Sequence, residues 1–230
     1  MIISKKKAMA GILAALEGKK TVYLFGCNSC AQQCQTGGEA ELKEMTATLE
    51  SHGLRVLGSS LVPETCYRQH VLKEYRKVEA IGKADAVLVL ACGAGARTVA
   101  DAADESQPVL PANDSIFLAT VERQGRFFEG CSLCGECVLI ETGGICPHTE
   151  CPKGLLNGPC GGVAGGKCEV NVENDCAWVR IYRRLKKQGR LHLMMKIAPP
   201  KDHSIGVRPR NVILRNPAGA AGAGRKKTGD

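Results

Sequence analysis

The segment from Cys131 to Cys176 restricts the possible folds of this chain more than any other feature. It holds eight of the thirteen cysteines, and glycines and prolines fill much of the space between them. These eight are Cys131, Cys134, Cys137, Cys146, Cys151, Cys160, Cys168 and Cys176. Such a segment has too few large apolar side chains to bury a core of its own. Thiolates bound to metal can fold it instead, because metal-binding free energy then contributes to folding.

The spacing Cys131-x2-Cys134-x2-Cys137 is typical of iron–sulfur proteins, in which three thiolates and nearby backbone amides surround one cluster. Cys146 and Cys151 are each followed by proline, as is the more distant fourth ligand of that pattern. Eight cysteines suffice for two 4Fe–4S sites, although spacing does not show which four share a site. Zinc remains the alternative, but a zinc ribbon normally needs two C-x2-C pairs about fifteen to twenty residues apart.

Strand-like and helix-like runs alternate over residues 20–125. Thr21–Phe25, Leu54–Leu57 and Ala86–Ala91 are apolar runs that predict buried strands. The predicted helices cover residues 39–49, 71–81 and 98–103. This order predicts an α/β fold, a small doubly wound domain with a parallel sheet, followed by a cysteine-rich, metal-stabilised irregular domain.

The other five cysteines follow the predicted strands. Because sites in such folds lie beyond the carboxyl ends of the strands, three separate strand ends deliver cysteine to the same rim. We expect a third metal site there, with zinc or a further 4Fe–4S cluster, and one cysteine more than the four that a site needs. These cysteines are Cys27, Cys30, Cys34, Cys66 and Cys92.

The compartment follows from the amino-terminal segment and from the absence of a long apolar run. No run of about eighteen apolar residues is present, so we expect no membrane span. Three lysines and the apolar run Ala8–Leu16 faintly resemble a signal peptide, but the run continues through Glu17 into a strand without a convincing cleavage site. We therefore predict an amphipathic opening helix, a cytoplasmic location and cysteines that are metal ligands rather than disulfides.

The net charge of +8 is concentrated at the carboxyl end. Residues 177–230 hold fourteen Lys and Arg against two Asp and Glu, whereas residues 1–176 hold seventeen against twenty-one. A basic amphipathic helix is predicted over Val179–Leu185. Interleaved aromatics and a recognisable DNA-reading module are missing, so we predict no nucleic-acid binding and favour a tail that docks on a partner.

The predicted domains are residues 1–125 (α/β), 126–198 (cysteine-rich, iron–sulfur) and 199–230 (a flexible basic tail). No arrangement of catalytic side chains stands out. The glycine-rich loop after Cys92 is not G-x-G-x-x-G and lacks the later acidic residue, which disfavours a nucleotide site. His148 lies between two cysteines, where a lone histidine is more often a neighbour of the ligands than a ligand.

Several motifs together resemble the methylenetetrahydrofolate reductase C-terminal (zinc/iron–sulfur) domain family. They are Cys131-x2-Cys134-Gly-x-Cys137, Thr142-Gly-Gly-Ile-Cys146-Pro, Cys151-Pro-Lys-Gly-Leu-Leu-Asn-Gly-Pro-Cys160-Gly-Gly, Gly166-Lys-Cys168-Glu-Val and Asp175-Cys176-Ala-Trp178. Phe25-Gly-Cys-Asn-Ser-Cys30 and Leu90-Ala-Cys-Gly-Ala-Gly95 extend the similarity toward the amino terminus. The whole resembles the small accessory iron–sulfur subunit of the two-subunit bacterial reductase.

The resemblance implies a partner, a flavin-containing TIM-barrel catalytic subunit that binds the folate. It also implies that this chain carries iron–sulfur centres and relays electrons in one-carbon (acetyl-CoA pathway) metabolism, with further electron-transfer subunits as additional partners. A non-redox zinc scaffold in the same complex is the alternative. The resemblance leaves open the metal at the amino-terminal cysteines.

Overall fold

A computed structural model describes residues 1–213, which form seven strands and eight α-helices. The strands are β1 (Ile2–Lys6), β2 (Thr21–Cys27), β3 (Arg55–Val62), β4 (Ala86–Leu90), β5 (Val109–Pro111), β6 (Asn113–Arg123) and β7 (Arg126–Cys131). The helices are α1 (Met9–Ala15), α2 (Cys30–Gln33), α3 (Glu39–Ser51), α4 (Arg68–Lys77), α5 (Glu79–Lys83), α6 (Gly93–Ala100), α7 (Pro147–Glu150) and α8 (Ala177–Lys187). Two 3-10 turns follow α8, at Leu191–Met195 and His203–Gly206.

A parallel sheet in the order β3-β2-β4-β5 forms the centre of the amino-terminal part. Every residue of β4 is buried, as a strand covered on both faces requires. Side chains on one face pack with Val71, Ile81 and Val99 of α4, α5 and α6. Those on the other face pack with Ile12 and Leu42 of α1 and α3. The predicted α/β class with helices on both faces is confirmed.

A second sheet, antiparallel and in the order β1-β6-β7, was not predicted. Its strands are irregular, with register shifts after Ile3 in the β1–β6 pairing and at Leu118 and Val121 in the β6–β7 pairing. The β6–β7 hairpin turns at residue 125, so it crosses the predicted border between the first two domains. Through this hairpin, the cysteine-rich segment begins directly at the end of β7.

The amino-terminal prediction was correct for α1 but wrong for the residues before it. Ile2–Lys6 form β1, and Ile3 and Ser4 are buried against β6 and α2. Five residues that pair with a strand more than a hundred positions away give no helical or hairpin signal in the sequence. Among residues 1–213, no helix is both long and apolar enough to cross a membrane.

The carboxyl-terminal part packs around α8. The predicted amphipathic face is confirmed, because Ile181 and Leu185 are completely buried. Trp178 completes this small core, and its indole nitrogen donates a hydrogen bond to the Leu155 carbonyl at 2.9 Å. Ile145 joins from the cysteine-rich segment, so that segment shares a core with α8 instead of building its own.

The predicted basic tail falls partly within the described residues. Residues 199–213 lie against the loop that follows β7. Arg210 donates a hydrogen bond to the Leu133 carbonyl at 2.9 Å. Gly135 sits so close to Ile205 that an added Cβ would lie 2.4 Å from its Cγ2 atom. The remainder of the tail, residues 214–230, lies outside the described residues.

Candidate metal centres

All thirteen cysteines lie within the described residues, and all are free thiols. We assign twelve of them to three sets of four by their place in the fold: after the strands of the parallel sheet, on the loop after β7 with the start of α7, and around one cavity. We call these the rim group (Cys27, Cys30, Cys66 and Cys92), the loop group (Cys131, Cys134, Cys137 and Cys146) and the cavity group (Cys151, Cys160, Cys168 and Cys176). Cys34 lies outside all three.

The rim group stands where the parallel strands end. Cys27 is the last residue of β2, and Cys30 opens α2 after a two-residue turn. Cys92 caps α6 directly after β4, and Cys66 follows β3 by four residues. β2 lies between β3 and β4 in the sheet, so the three strand ends are neighbours. The predicted convergence of three strand ends is therefore present in the fold.

Hydrogen bonds connect the loops that carry the rim group. The Thr65 hydroxyl donates to the Gly26 carbonyl at 3.0 Å and is itself fully buried. The Thr98 hydroxyl of α6 contacts the Cys66 carbonyl at 3.4 Å. These contacts connect the loop after β3 to β2 on one side and to α6 on the other. They hold Cys66 in place without a bound metal.

The acidity of Cys66 shows that the four thiols share one neighbourhood. Burial raises the pKa of the Cys66 thiol, and the neighbouring thiols of Cys92, Cys27 and Cys30 raise it further. Like-charged thiolates disfavour one another's ionisation, so a group of this kind is stabilised when a cation neutralises it.

The side chain of Cys34 is directed toward β1, so we leave it out of the rim group. Its sulfur lies 3.8 Å from the Ile2 carbonyl oxygen, toward β1. Cys30, only four residues earlier, is by contrast among the thiols that raise the pKa of Cys66. The sequence offered five amino-terminal cysteines for one site, and the fold separates Cys34 from the other four.

The loop group begins at the end of β7. The Leu133 amide donates a hydrogen bond to the Cys131 sulfur at 3.3 Å. Leu133 and Gly135 both have positive φ, at 56° and 87°, so the backbone curls tightly between the cysteines. Amides directed at sulfur are a means by which iron–sulfur proteins tune their clusters.

Cys146 joins the loop group through the packing of α7. It is the residue before α7, and α7 packs against β7, which ends at Cys131. Cys137, Pro147 and His148 line the same cavity of about 380 Å³. On the packing of α7 against β7 we assign Cys146 to the loop group.

Two charged or polar side chains border Cys134. Burial would raise the pKa of the Cys134 thiol, but hydrogen bonding to the Glu136 backbone and the nearby Lys201 ammonium lower it overall. His148 lies in the same cavity wall as Cys134. Burial, followed by the positive charge of Lys201, lowers the pKa of His148 and favours its neutral form. Lys201 was not singled out in the sequence, because a lysine in a basic tail carries no pattern.

The cavity group lines a single narrow cavity of about 20 Å³. Two backbone hydrogen bonds hold its walls, from the Cys176 amide to Gly166 at 2.8 Å and from the Cys168 amide to Asn174 at 3.0 Å. Lys153 and Glu169 form an ion pair within the same lining. All four thiols line one cavity, so the structure groups cysteines whose common site the sequence spacing did not show.

The donor chemistry of all three groups fits metal binding. Four thiolates suit zinc and iron–sulfur clusters alike. As positioned among residues 1–213, no three His, Cys, Asp or Glu side chains stand close enough together to hold a metal ion. Thiols that raise one another's pKa can still be too far apart to bind one metal ion together, because charges act over longer distances than a metal–sulfur bond.

Comparison with known protein families gives one match in this part of the chain. Residues 110–204 match the family described as methylene-tetrahydrofolate reductase C terminal. The match includes the loop group, the cavity group, α8 and Lys201, and it excludes the rim group. No curated protein matches the chain.

Proposed function

Because residues 110–204 match the methylene-tetrahydrofolate reductase C-terminal family, we propose that this chain is an iron–sulfur electron-transfer subunit of a methylenetetrahydrofolate reductase complex. It relays electrons to or from a flavin-containing catalytic subunit in one-carbon metabolism. The folate and flavin chemistry belong to that partner. The role of this chain is to hold redox centres in fixed positions.

The observation that carries the proposal is the grouping of the thiols. Four cysteines follow neighbouring strand ends and four others line one cavity, and four is the number that a 4Fe–4S cluster or a zinc ion requires. A purely structural site needs only one such set. Three sets along one chain suit a relay, in which each centre passes an electron to the next.

The residues around each group have separable tasks in this proposal. Rim-group thiols follow rigid strand ends, so the sheet fixes their spacing. In the loop group, the Leu133 amide donates a hydrogen bond to the Cys131 sulfur, an interaction that tunes iron–sulfur clusters where one is bound. A bound cluster supplies the one-electron chemistry, and the protein sets its potential through burial, hydrogen bonds and local charge.

Anaerobic purification of the full chain tests the proposal. We expect a brown protein with iron, acid-labile sulfide and an EPR signal after reduction by dithionite. Serine replacements of Cys66, Cys134 and Cys168, one from each group, should each remove about four iron atoms. Cys34→Ser is the matched control and should leave the iron content unchanged. Zinc in every group, with no reducible cluster, would contradict the proposal.

The partner requires a second experiment. We expect the chain to co-purify with a flavin-containing methylenetetrahydrofolate reductase subunit when the two are co-expressed. Reduction of the chain by dithionite, followed by mixing with the oxidised partner, should bleach the flavin absorbance. If the flavin accepts no electrons from a fully metal-loaded chain, the proposed redox role is wrong.

The shared cavity of the cavity group favours a second candidate, a zinc-binding scaffold subunit of the same complex. Four thiols line one narrow space of about 20 Å³, and four thiolates are the ligand set of a structural zinc site. Zinc there would be closed and structural, with no electron to transfer. Metal analysis of the Cys168→Ser variant distinguishes the two candidates, since the variant loses zinc in one case and iron with sulfide in the other.

A further inference from the structure

The side of α8 that faces away from its buried core carries four cationic side chains in one stripe, at positions i, i+3, i+4 and i+7. They are Arg180, Arg183, Arg184 and Lys187. Residues three and four apart are neighbours on a helix surface, and like charges at this spacing destabilise the helix. A face that only kept α8 in contact with water would not need to bring its charges together. The stripe therefore requires a further explanation.

The four cations of the stripe line one open hollow of about 450 Å³. Ile145 and Gln188 complete the lining. Among the described residues, this lining holds neither an acidic side chain nor an aromatic ring. The cavity group differs in this respect, because Lys153 and Glu169 form an ion pair within its lining. The hollow beside α8 thus has one sign of charge.

Most of the positive charge in the hollow has no carboxylate partner. Arg180 pairs with Glu150 of α7, which lies outside the lining. The other three cations take part in no ion pair within residues 1–213. Asp175, just before α8, is paired with Lys167 at 2.8 Å. The repulsion along the stripe is therefore only partly offset by the chain itself.

Two glycine turns hold arginine side chains of the stripe in place. Gly143 has a φ of 62°, and the Arg184 guanidinium donates a hydrogen bond to its carbonyl at 3.3 Å. An added Cβ at Gly143 would lie 3.3 Å from Cγ of Arg184. Gly166 has a φ of 83°, and a Cβ there would lie 3.2 Å from Nη2 of Arg183. Because ordering a long side chain costs free energy on binding, arginines that are already positioned bind an anion at a lower cost.

The shape and size of the hollow favour an acidic protein segment as its occupant. Guanidinium groups bind carboxylates through paired hydrogen bonds, and arginine is enriched at protein–protein interfaces. A small anion is usually held in an enclosed pocket, whereas this hollow is open along α8. Single-stranded nucleic acid needs a longer basic groove with aromatic rings on which bases stack, and this stripe covers about 10 Å of helix. Residues 214–230 carry four cationic side chains and one acidic one, so their charge does not complement the hollow.

We propose that the hollow is the docking site for an acidic segment of a partner protein, whose Asp or Glu side chains pair with Arg183, Arg184 and Lys187. The inference needs no bound metal and goes beyond the proposed electron-transfer role. Carboxylates in the hollow offset the repulsion between the cations of α8. They also steer the partner toward this face, an effect that salt weakens.

A labelled polyglutamate peptide tests the inference with the full chain, by fluorescence anisotropy at low ionic strength. Arg183→Gln and Lys187→Gln should each weaken binding by about twofold to fivefold, the range for one exposed ion pair. Lys186→Gln is the matched control, because it removes the same charge from an exposed position of α8 outside the hollow. It should leave the affinity nearly unchanged. Added salt should weaken binding to the unmodified chain.

Other results would overturn the inference. They are absence of peptide binding, an equal loss of affinity in Lys186→Gln, and tighter binding of an oligothymidylate with the same number of charges. Self-association of the chain that disappears in Arg183→Gln would also overturn it, since the hollow would then belong to a contact between two copies. Trp178 fluorescence checks that each variant retains the core around α8.

Discussion

The parallel sheet and the cysteine-rich segment present the same residue type in opposite settings. All five residues of β4 are buried, whereas between Cys131 and Cys176 only Thr142, Ile145, Pro147 and Cys176 are buried. Cysteines of the rim group come after elements that hydrophobic packing already fixes. Those of the loop and cavity groups lie in a loop-rich segment with few buried side chains.

The difference concerns the order of folding and binding. At the rim, the strands define the positions of the thiols whether or not a metal is bound. Few side chains are buried in the cysteine-rich segment, so under the proposed function metal-binding free energy would supply much of its folding free energy. The predictions below test that contrast, beginning with the largest effect.

Metal removal should separate the two regions most clearly. We expect chelation to unfold residues 146–176, because each structural thiolate site contributes about 10–16 kcal/mol when it binds zinc at neutral pH. Hydrogen exchange should then lose protection in that segment while amides of β4 remain protected. Simultaneous loss of protection in both regions would show that the contrast is wrong.

A substitution that creates a cavity in the parallel sheet should destabilise the amino-terminal part of the protein. Leu88→Ala removes a side chain that is 1% exposed, and we expect it to cost about 2–5 kcal/mol in the free energy of unfolding of the amino-terminal part. Chemical denaturation with and without chelator measures this, and the cost should not depend on the metal. Val170→Ala, at a position 57% exposed within the cysteine-rich segment, should be nearly neutral by the same measurement.

Trp178 reports on the carboxyl-terminal part alone, because it is the only tryptophan in the chain. Trp178→Phe leaves the Leu155 carbonyl without its indole donor, and we expect a loss of about 1–3 kcal/mol. In the unmodified protein, tryptophan emission should shift to the red on chelation and stay unchanged in Leu88→Ala. A red shift in Leu88→Ala would mean that the two regions unfold together.

The smallest effect is expected at Asp85, which ties the start of β2 to the turn before β4. Amide hydrogen bonds from Lys20 and Thr21, and a further one from the Thr21 side chain, lower the pKa of the Asp85 carboxyl. Stability from this carboxylate is therefore present above its ordinary pKa and is lost as pH falls through the lowered value. Asp85→Asn should slightly lower the melting temperature at pH 7, and the difference should disappear once the pH falls below the lowered pKa of the carboxyl.

The sequence indicated the parallel sheet well, because continuous apolar runs such as Ala86–Ala91 have few alternatives to a buried strand. It did not indicate β1, β6 and β7. β6 has only Asn113 and Ala119 buried, so its pattern shows little alternation, and its partners are either very distant or follow a short turn. Pairing between strands so far apart in the sequence produces no pattern in the residues around either strand.

The candidate site was predictable in part for a related reason. Strand order alone brought Cys27, Cys66 and Cys92 to one rim, but the exclusion of Cys34 depended on the direction of a single helical turn. The division of the other eight cysteines required the packing of α7 against β7 and the shared cavity of the last four. Their roles as metal ligands stay a prediction, and Lys201 had no signal beyond its charge.

The strand pairing of β1 with β6 has a practical consequence for handling the protein. β6 continues through a tight turn into β7, and β7 ends at Cys131, the first cysteine of the loop group. Because β1 pairs with β6, the residues of β1 stabilise the hairpin that carries this group. An affinity tag or a shortened start that disturbs Ile2–Lys6 would loosen a region more than a hundred residues away. Preparations with altered amino termini should therefore be compared first by their content of metal, before any difference in activity is assigned to the carboxyl-terminal part.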